Sequence, residues 1–431
     1  MSRVFGAPGK ALVAGGYLVL DPEYKSYVTA LSSRMHARIE VCPVLDDHSV
    51  ITVCSPQFNG SWTYKVIHRD GFCEAETTIG GRNKFLEETV KVALAYVVPK
   101  DLFNYRITLF SDPGFHTQDR TEKKSSANSK KSFLYHEKPI EQVAKTGMGS
   151  SAGLVSVVAS ALLATFLCKP VSDIIDIIHN VSQIAHCNAQ GKIGSGFDVA
   201  AAVYGSIIYR RFQPNVIGGL LDQSVSSEYC LSVQKVVNTK WDFVHGRCFL
   251  PPGLRLIMGD VNGGSETPKL VSKVLEWRKK DEDSGETYAK LDSANTKLMA
   301  ELQRLNHFYD SKPTDYYEQL ESGTLFMPLS NCISAIREGL QQLTARSGAE
   351  IEPPEQTELL NKCEELPGCL GGVVPGAGGY DAICLLVESS QVESLKDFTK
   401  SSESFAAVTW LDLTEESQGI VEESAEDYKG L

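Results

Sequence analysis

The sequence predicts an α+β protein built in two layers, and three observations carry that expectation. Strand-like and helix-like runs mix without the strict β-α-β alternation of a parallel sheet. Strand-like runs crowd the first quarter of the chain, whereas helix-like runs dominate its second half. The 431 residues, 42% hydrophobic and 22% charged, are ordinary for a globular body and sufficient for two cored domains.

From Arg3 to Leu20, apolar residues surround closely spaced glycines, which predicts a strand, a turn and a second strand, with Lys10 between them. Strands are expected at 35–41, 50–54 and 62–66. The spacing of Phe85, Val90, Leu94 and Val97 predicts a helix over 84–97, and 105–110 returns to strand. Residues 116–138, rich in Ser, Lys, Asn and Asp without an apolar period, suggest a flexible surface insertion. A loop and helix follow at 145–168, in which a glycine turn precedes the uncharged stretch Ser150 to Cys168, whose Ser, Thr, Gly and Ala content fits burial in protein better than in a membrane. Pro170 starts a further helix with Ile174, Ile175, Ile178, Val181 and Ile184 on one face. After GKIGSGFD come a small-residue helix at 199–204 and a strand at 206–211. Gly, Pro and Ser at 214–227 suggest a boundary between domains 1–225 and 226–431. Beyond it, strands are expected at 254–258 and 382–387, and helices at 269–279, 288–308, 316–343 and 357–366.

A formal net charge of -12 argues against a nucleic-acid backbone as the partner. Anionic small molecules remain compatible, given a local cluster of Lys and Arg. The eleven cysteines are odd in number and lack a C-x-x-C pair, which suggests reduced thiols in a reducing compartment. The N-terminus has no apolar core of signal-peptide length, and the terminal KGL is not the usual peroxisomal address. A cytoplasmic protein without membrane insertion is expected.

The segment KTGMGSSAGLVSVVASALL, from Lys145 through Met148 to Ala152 and beyond, sets Gly147, Gly149, Ser150 and Ser151 before a long apolar helix. Backbone N–H groups converge at such a helix start, which makes an anion site, and the two hydroxyls can bond phosphate or a hard cation. The order of residues is not that of a Walker loop, because Lys145 precedes the glycines. Gly147, Gly149 and Ala152 also fit the dinucleotide fingerprint, with Asp173 about twenty residues on. Asp173, however, follows Pro170 and opens a helix, so it suits a capping position better than the end of a strand. Asp198 and Lys10 each allow two readings, as cap and turn lysine or as the acid and base-rich pair that aims a phosphoryl transfer. Gly371 to Tyr380, which includes Gly378, is too glycine-rich for a simple hairpin and suits backbone lying close to a ligand.

These three segments in this order, APGKALVAGGYLVL, KTGMGSSAGL and PGAGGYDAICLL, resemble the GHMP kinases, the superfamily of galactokinase, homoserine kinase and mevalonate kinase. Within it, GKIGSGFDVAAAVYGS, the run NKFLEETV at Asn83 and GSETPKLVSKVLEW at Gly264 resemble the fungal branch that acts on 5-phosphomevalonate. The resemblance implies the GHMP kinase fold: an N-terminal α/β domain with a left-handed βαβ crossover and a C-terminal ferredoxin-like α+β domain. It further implies that ATP and 5-phosphomevalonate share the cleft between them, with Mg2+. The γ-phosphoryl would pass to the 5-phosphate, giving mevalonate 5-diphosphate and ADP in isoprenoid and sterol biosynthesis. Mevalonate kinase or another GHMP small-molecule kinase, and a catalytically silent sensor, are the alternatives.

Position by position, the resemblance places Gly147 to Ser151 in the triphosphate loop, with Ser151 as the magnesium-binding serine. Lys10 matches the lysine that bridges the two phosphates, Tyr17 the substrate-side motif, Asn83 the nucleotide pocket and Asp198 the active-site aspartate. Some members carry a metal-binding glutamate eleven residues before that aspartate; here the position is Cys187.

Two anions brought together repel, so the cleft needs cations, and Lys10, Lys145, Lys192, Arg210 and Arg211 are available. Adjacent residues on a strand point to opposite faces, so one of the two arginines would serve the substrate, and Arg211 is the one expected to. Ser265 and Thr267, ahead of a helix, offer a second anion site for the substrate's phosphate.

Overall fold

The computed structural model describes residues 2–118, 120–261 and 267–431, with Thr267 described in its backbone alone. The first lobe contains β1 (Ser2–Ala14), β2 (Ser26–Val41), β3 (Ser49–Ser55), β4 (Gly60–Arg69), β5 (Phe72–Ile79), β6 (Asn104–Ser111), β7 (Thr121–Ser125), β8 (Ser132–His136), β9 (Ile207–Arg210) and β10 (Val244–Arg247). Its helices are α1 (Lys84–Val97), α2 (Ser150–Phe166), α3 (Ile175–Gln190), α4 (Phe197–Tyr204), α5 (Asn215–Gly218) and α6 (Ser227–Asn238). The second lobe follows with β11 (Leu254–Asp260), α7 (Thr267–Lys280), α8 (Ser284–Ser311), α9 (Pro313–Glu321), α10 (Met327–Ser347), α11 (Pro354–Glu364), β12 (Cys369–Val373), β13 (Ala382–Glu388), α12 (Val392–Lys400) and β14 (Thr409–Leu411). The chain then returns to the first lobe as β15 (Val421–Glu423).

β2 organises the first sheet because it is long enough to serve several partners. It pairs antiparallel with β1 along one edge, while β9 and β6 take separate stretches of the other. β3 joins β6 in parallel, and β4 and β5 complete that side. The parallel pair requires a crossover, supplied through α1. Helix α2 is buried nearly all round, with Val155, Val158, Leu162 and Leu163 at 0% exposure, and packs between the sheet and α1, α3 and α4. A helix without a polar face must sit in the core, and this one carries the glycine loop at its start. The second lobe is an antiparallel sheet in the order β12-β13-β11-β14, with α10 and α11 against β12.

Several sequence expectations change here. β1 is one continuous strand with Lys10 inside it, not two strands about a turn. Its glycines serve close packing: a side chain at Gly9 would come 3.3 Å from the Phe115 ring, and one at Gly6 2.9 Å from the Glu423 carboxylate. Leu18–Leu20 is a 3-10 turn, not a strand. Within 116–138 the chain forms the β7–β8 hairpin, which anchors Phe133 against Phe110 and Tyr428. Phe133 and Tyr135 alone carry its apolar contacts there, too short a run to show a period. The expected helix at 316–343 is broken between α9 and α10, where Gly323 is left-handed and Pro328 fits a new first turn. The composition break at 214–227 lies inside the first lobe, since α6 packs on α1 and β10 pairs with β9.

Candidate active site

A cleft of about 510 Å³ lies between the lobes, lined by Lys10, Lys145 to Ser151, Gly194 to Asp198 and, from the second lobe, Val374 to Gly378. Its floor is the start of α2. Gly149 caps that helix in the left-handed region, φ 78°, with Gly147 at φ 76° two residues before it. The loop is fixed from beneath: Met148 is 1% exposed, the Thr146 hydroxyl donates to Gly114 O at 2.5 Å, and Lys10 N donates to Met148 O at 3.1 Å. The first N–H groups of α2 therefore face the cleft at the positive end of the helix dipole.

Lys10 lies across this loop. Its Nζ donates to Gly147 O at 2.8 Å and sits 5.4 Å from the Phe197 ring centroid. Burial lowers the ammonium from its ordinary value, and the nearby Asp198 carboxylate opposes that shift. Asp198 occupies the first turn of α4, where Oδ1 accepts from Val199 N at 2.9 Å. Lys10 and Asp198 side-chain atoms both lie within 4 Å of where a Gly149 side chain would begin. Ammonium, carboxylate and helix start thus converge on one small volume. Lys145 and Lys192, both exposed, add positive charge to the rim.

Tyr17 joins the lobes. It adopts φ 65° and donates from its hydroxyl to Ala377 O at 2.7 Å, while burial pushes its phenol well above the ordinary value. Gly378 is pressed against the second lobe, where an added side chain would meet Ile351 O at 2.3 Å.

Over the full length of both chains, the sequence is 51% identical to a phosphomevalonate kinase of Candida albicans. The chain belongs to the phosphomevalonate kinase family of GHMP kinases. A second relative, the phosphomevalonate kinase of Aspergillus fumigatus, is 34% identical over 98% of this chain and 97% of its own. The Arabidopsis thaliana protein named phosphomevalonate kinase, peroxisomal, is 29% identical over 89% of each chain. Family models for the GHMP kinase N-terminal and C-terminal domains match residues 121–206 and 326–401. The fold is also that of the Streptococcus pneumoniae phosphomevalonate kinase solved with phosphomevalonate and AMPPNP: TM-score 0.64, 15% identity, 96% of this chain and 99% of that one.

Not every residue expected at the site lines the cleft. Arg211 is buried beneath it, where it donates to Leu20 O at 2.6 Å and Gly194 O at 2.7 Å. There it braces the loop ahead of Asp198 and is not among the residues that line the cleft, and Arg210 pairs with Asp242 at 2.6 Å on the other face. Asn83 caps α1: Oδ1 accepts from Leu86 N, and its own N–H donates to the Glu87 carboxylate. These contacts place it at the helix start, and it is not among the residues that line the cleft. Ser265 and the side chain of Thr267 lie outside the described residues, although Pro268 and Val271 of α7 do line the cleft. Asp173 ends a 3-10 turn ahead of α3, which removes the dinucleotide reading.

Among the lining residues absent from the sequence-derived candidates, one makes polar contact with two of those candidates. His186, on α3, reaches the cleft with Nε2 3.1 Å from Ser151 Oγ and 3.8 Å from Asp198 Oδ2. A histidine in an amphipathic helix gives no local signal, because its partners are 35 and 12 residues away along the chain.

Proposed function

We propose that the chain transfers the γ-phosphoryl group of Mg-ATP to the phosphate of 5-phosphomevalonate, giving mevalonate 5-diphosphate and ADP. One observation carries this reading beside the full-length similarity: Lys10 and Asp198 meet at the glycine-marked start of α2, as in-line transfer between two phosphates requires. An oxygen of the acceptor phosphate forms the new bond to the γ-phosphorus as the bond to the β,γ-bridging oxygen breaks, and the electron pair leaves with ADP. The second pKa of a phosphate monoester is about 6, so the acceptor is mostly dianionic near neutrality and has no hydroxyl proton to surrender.

The site's task is therefore positioning and charge neutralisation. The N–H groups of residues 149–151 cradle the triphosphate. Lys10 exchanges Gly147 O for oxygens of donor and acceptor, and Asp198 aims the ammonium. Lys145 and Lys192 screen the repulsion at the rim. Tyr17 and Gly378 hold the second-lobe loop against the acceptor. The protein donors suit Mg2+ that keeps water and phosphate ligands: the Ser151 hydroxyl and Asp198 Oδ2, the carboxylate oxygen not bonded to Val199 N, face the same space, and the described residues contain no cluster of three or more His, Cys, Asp or Glu. Bound there, Mg2+ would offset charge on the transferring group.

The described residues include no helix long and apolar enough to cross a membrane. With the reduced cysteines, this supports a cytoplasmic enzyme. ADP release should be measured with 5-phosphomevalonate and mevalonate side by side. Strong turnover with the former alone is expected, and preference for mevalonate would refute the assignment.

A further inference from the structure

Ser151 and Asp198 belong to the first turns of different helices, α2 and α4, and one ring nitrogen from a third helix stands between them. His186 is 3% exposed, and its ring packs against Phe85 at a centroid distance of 5.5 Å. Gln190, one turn on, approaches the same nitrogen at 3.5 Å, the weak limit of a hydrogen bond. The neighbouring Cys187 is turned away: it is fully buried and its sulfur accepts from Gln183 Nε2 at 3.2 Å. It brings neither charge nor oxygen to the cleft. His186 is therefore the contact of α3 with the pair.

Resting on the phosphoryl-transfer reading above, we propose that His186 is a positioning residue that acts through Ser151. The Ser151 hydroxyl can accept and the Asp198 carboxylate can only accept, so Nε2 faces them as N–H, with the Gln190 amide turned to present its oxygen at 3.5 Å. That N–H donates to Ser151 Oγ and selects one of the serine's staggered rotamers. The serine's own proton and remaining lone pair are thereby left for the triphosphate and its cation. The same N–H draws Asp198 Oδ2 toward the shared space, coupling the carboxylate to the loop without an additional charged ligand. Supporting partners of this kind hold ligating groups in the productive geometry.

The test uses four variants of the full chain: H186L, which keeps bulk and removes the donor; H186Q, whose amide N–H reaches a similar point; S151A; and S151A/H186L. Binding of Mg-AMPPNP is measured by calorimetry, kcat by ADP release, and folding by thermal melting without ligand. H186L is expected to lose about tenfold or more in both affinity and kcat, with its melting unchanged, and H186Q to recover most of both. If His186 works through Ser151, the double variant is no worse than S151A alone. Wild-type affinity and kcat in H186L, or losses that multiply in the double variant, would overturn the proposal. If H186L does not fold, H186Q decides: near wild-type affinity supports the donor role and a tenfold loss in the folded protein rejects it. Calorimetry needs no acceptor, so a chain that binds Mg-AMPPNP yet phosphorylates no acceptor refutes the proposed function while the His186 result still stands.

Discussion

Gly149 and Gly147 allow backbone strain to be separated from crowding of the reactive lysine. Both are left-handed, at φ 78° and 76°, so alanine at either position costs about 1 kcal/mol of stability. Their surroundings differ. An alanine Cβ at 149 would lie 3.1 Å from Lys10 Cε and 3.9 Å from Asp198 Cβ, whereas at 147 it meets no atom within 4 Å and projects into the open cleft. G149A must push Lys10 aside, and a reacting group misplaced by about 1 Å can lose roughly 10²-fold in rate. G147A instead intrudes where the triphosphate is proposed to lie. The expected split is a kcat loss of about 10²-fold in G149A, and a raised KM for ATP with a smaller kcat change in G147A. Steady-state kinetics with ATP varied at saturating acceptor, alongside thermal melting, reads both. Equal losses of kcat in the two variants, or wild-type kcat in G149A, would refute the crowding argument.

Further consequences concern the same site and the chain's tail. K10M should lower kcat by about 10²–10³-fold while ATP affinity in a binding assay changes little; unchanged turnover would exclude Lys10 from the transfer. D198N should slow the enzyme, yet its pH profile between about 6 and 8 should still follow the acceptor's second ionisation; disappearance of a single steep limb present in wild type would instead mark Asp198 as a base. R211M should lower the melting temperature without changing the preference between 5-phosphomevalonate and mevalonate, because Arg211 bonds only backbone carbonyls of the described residues. At the tail, fully buried His36 bonds Glu423 at 2.7 Å and Asp112 at 3.2 Å. Burial draws the imidazole down, but the two carboxylates outweigh it and raise it overall, whereas Glu423 and Asp112 are lowered despite their own burial. The raised imidazole stabilises fully below its unfolded value of about 6.5 and loses that contribution as pH rises through its folded value; the carboxylates lose theirs as pH falls below about 4. H36Q should therefore be destabilised by about 3 kcal/mol near pH 5.5, with the gap from wild type narrowing by pH 8.5 in urea unfolding. A gap constant over that range would reject the charge pairing.

The parts of the molecule that declare themselves in sequence are those governed by local chemistry. Helix α1 carries its cap Asn83 and its apolar spacing in one short run, and its expected limits match the structure. The glycine loop before α2 is legible because glycine and helix start are adjacent. What stayed hidden depends on distant partners. The glycines of β1 resemble a turn until Phe115 and Glu423 are seen against them. Arg211 looks like a substrate cation until it is seen buried, with Nη1 and Nη2 donating to Leu20 O and Gly194 O. The run at 421–428 is acidic and suggests solvent, yet Glu423 and Tyr428 meet His36 in a buried cluster. His186 gains meaning only when three helices converge.

The pairing of β15 with β1 also bears on biosynthesis. Val4, Phe5 and Gly6 find their edge partners at Glu423, Glu422 and Val421, and Arg34 reaches across to Gln418 O and Gly419 O. The strand that carries Lys10 is made long before the distant segment that closes its edge. Until then that edge offers unpaired backbone groups to any neighbouring nascent chain. Completion of the lobe around the strand that carries Lys10 thus waits for the synthesis of β15.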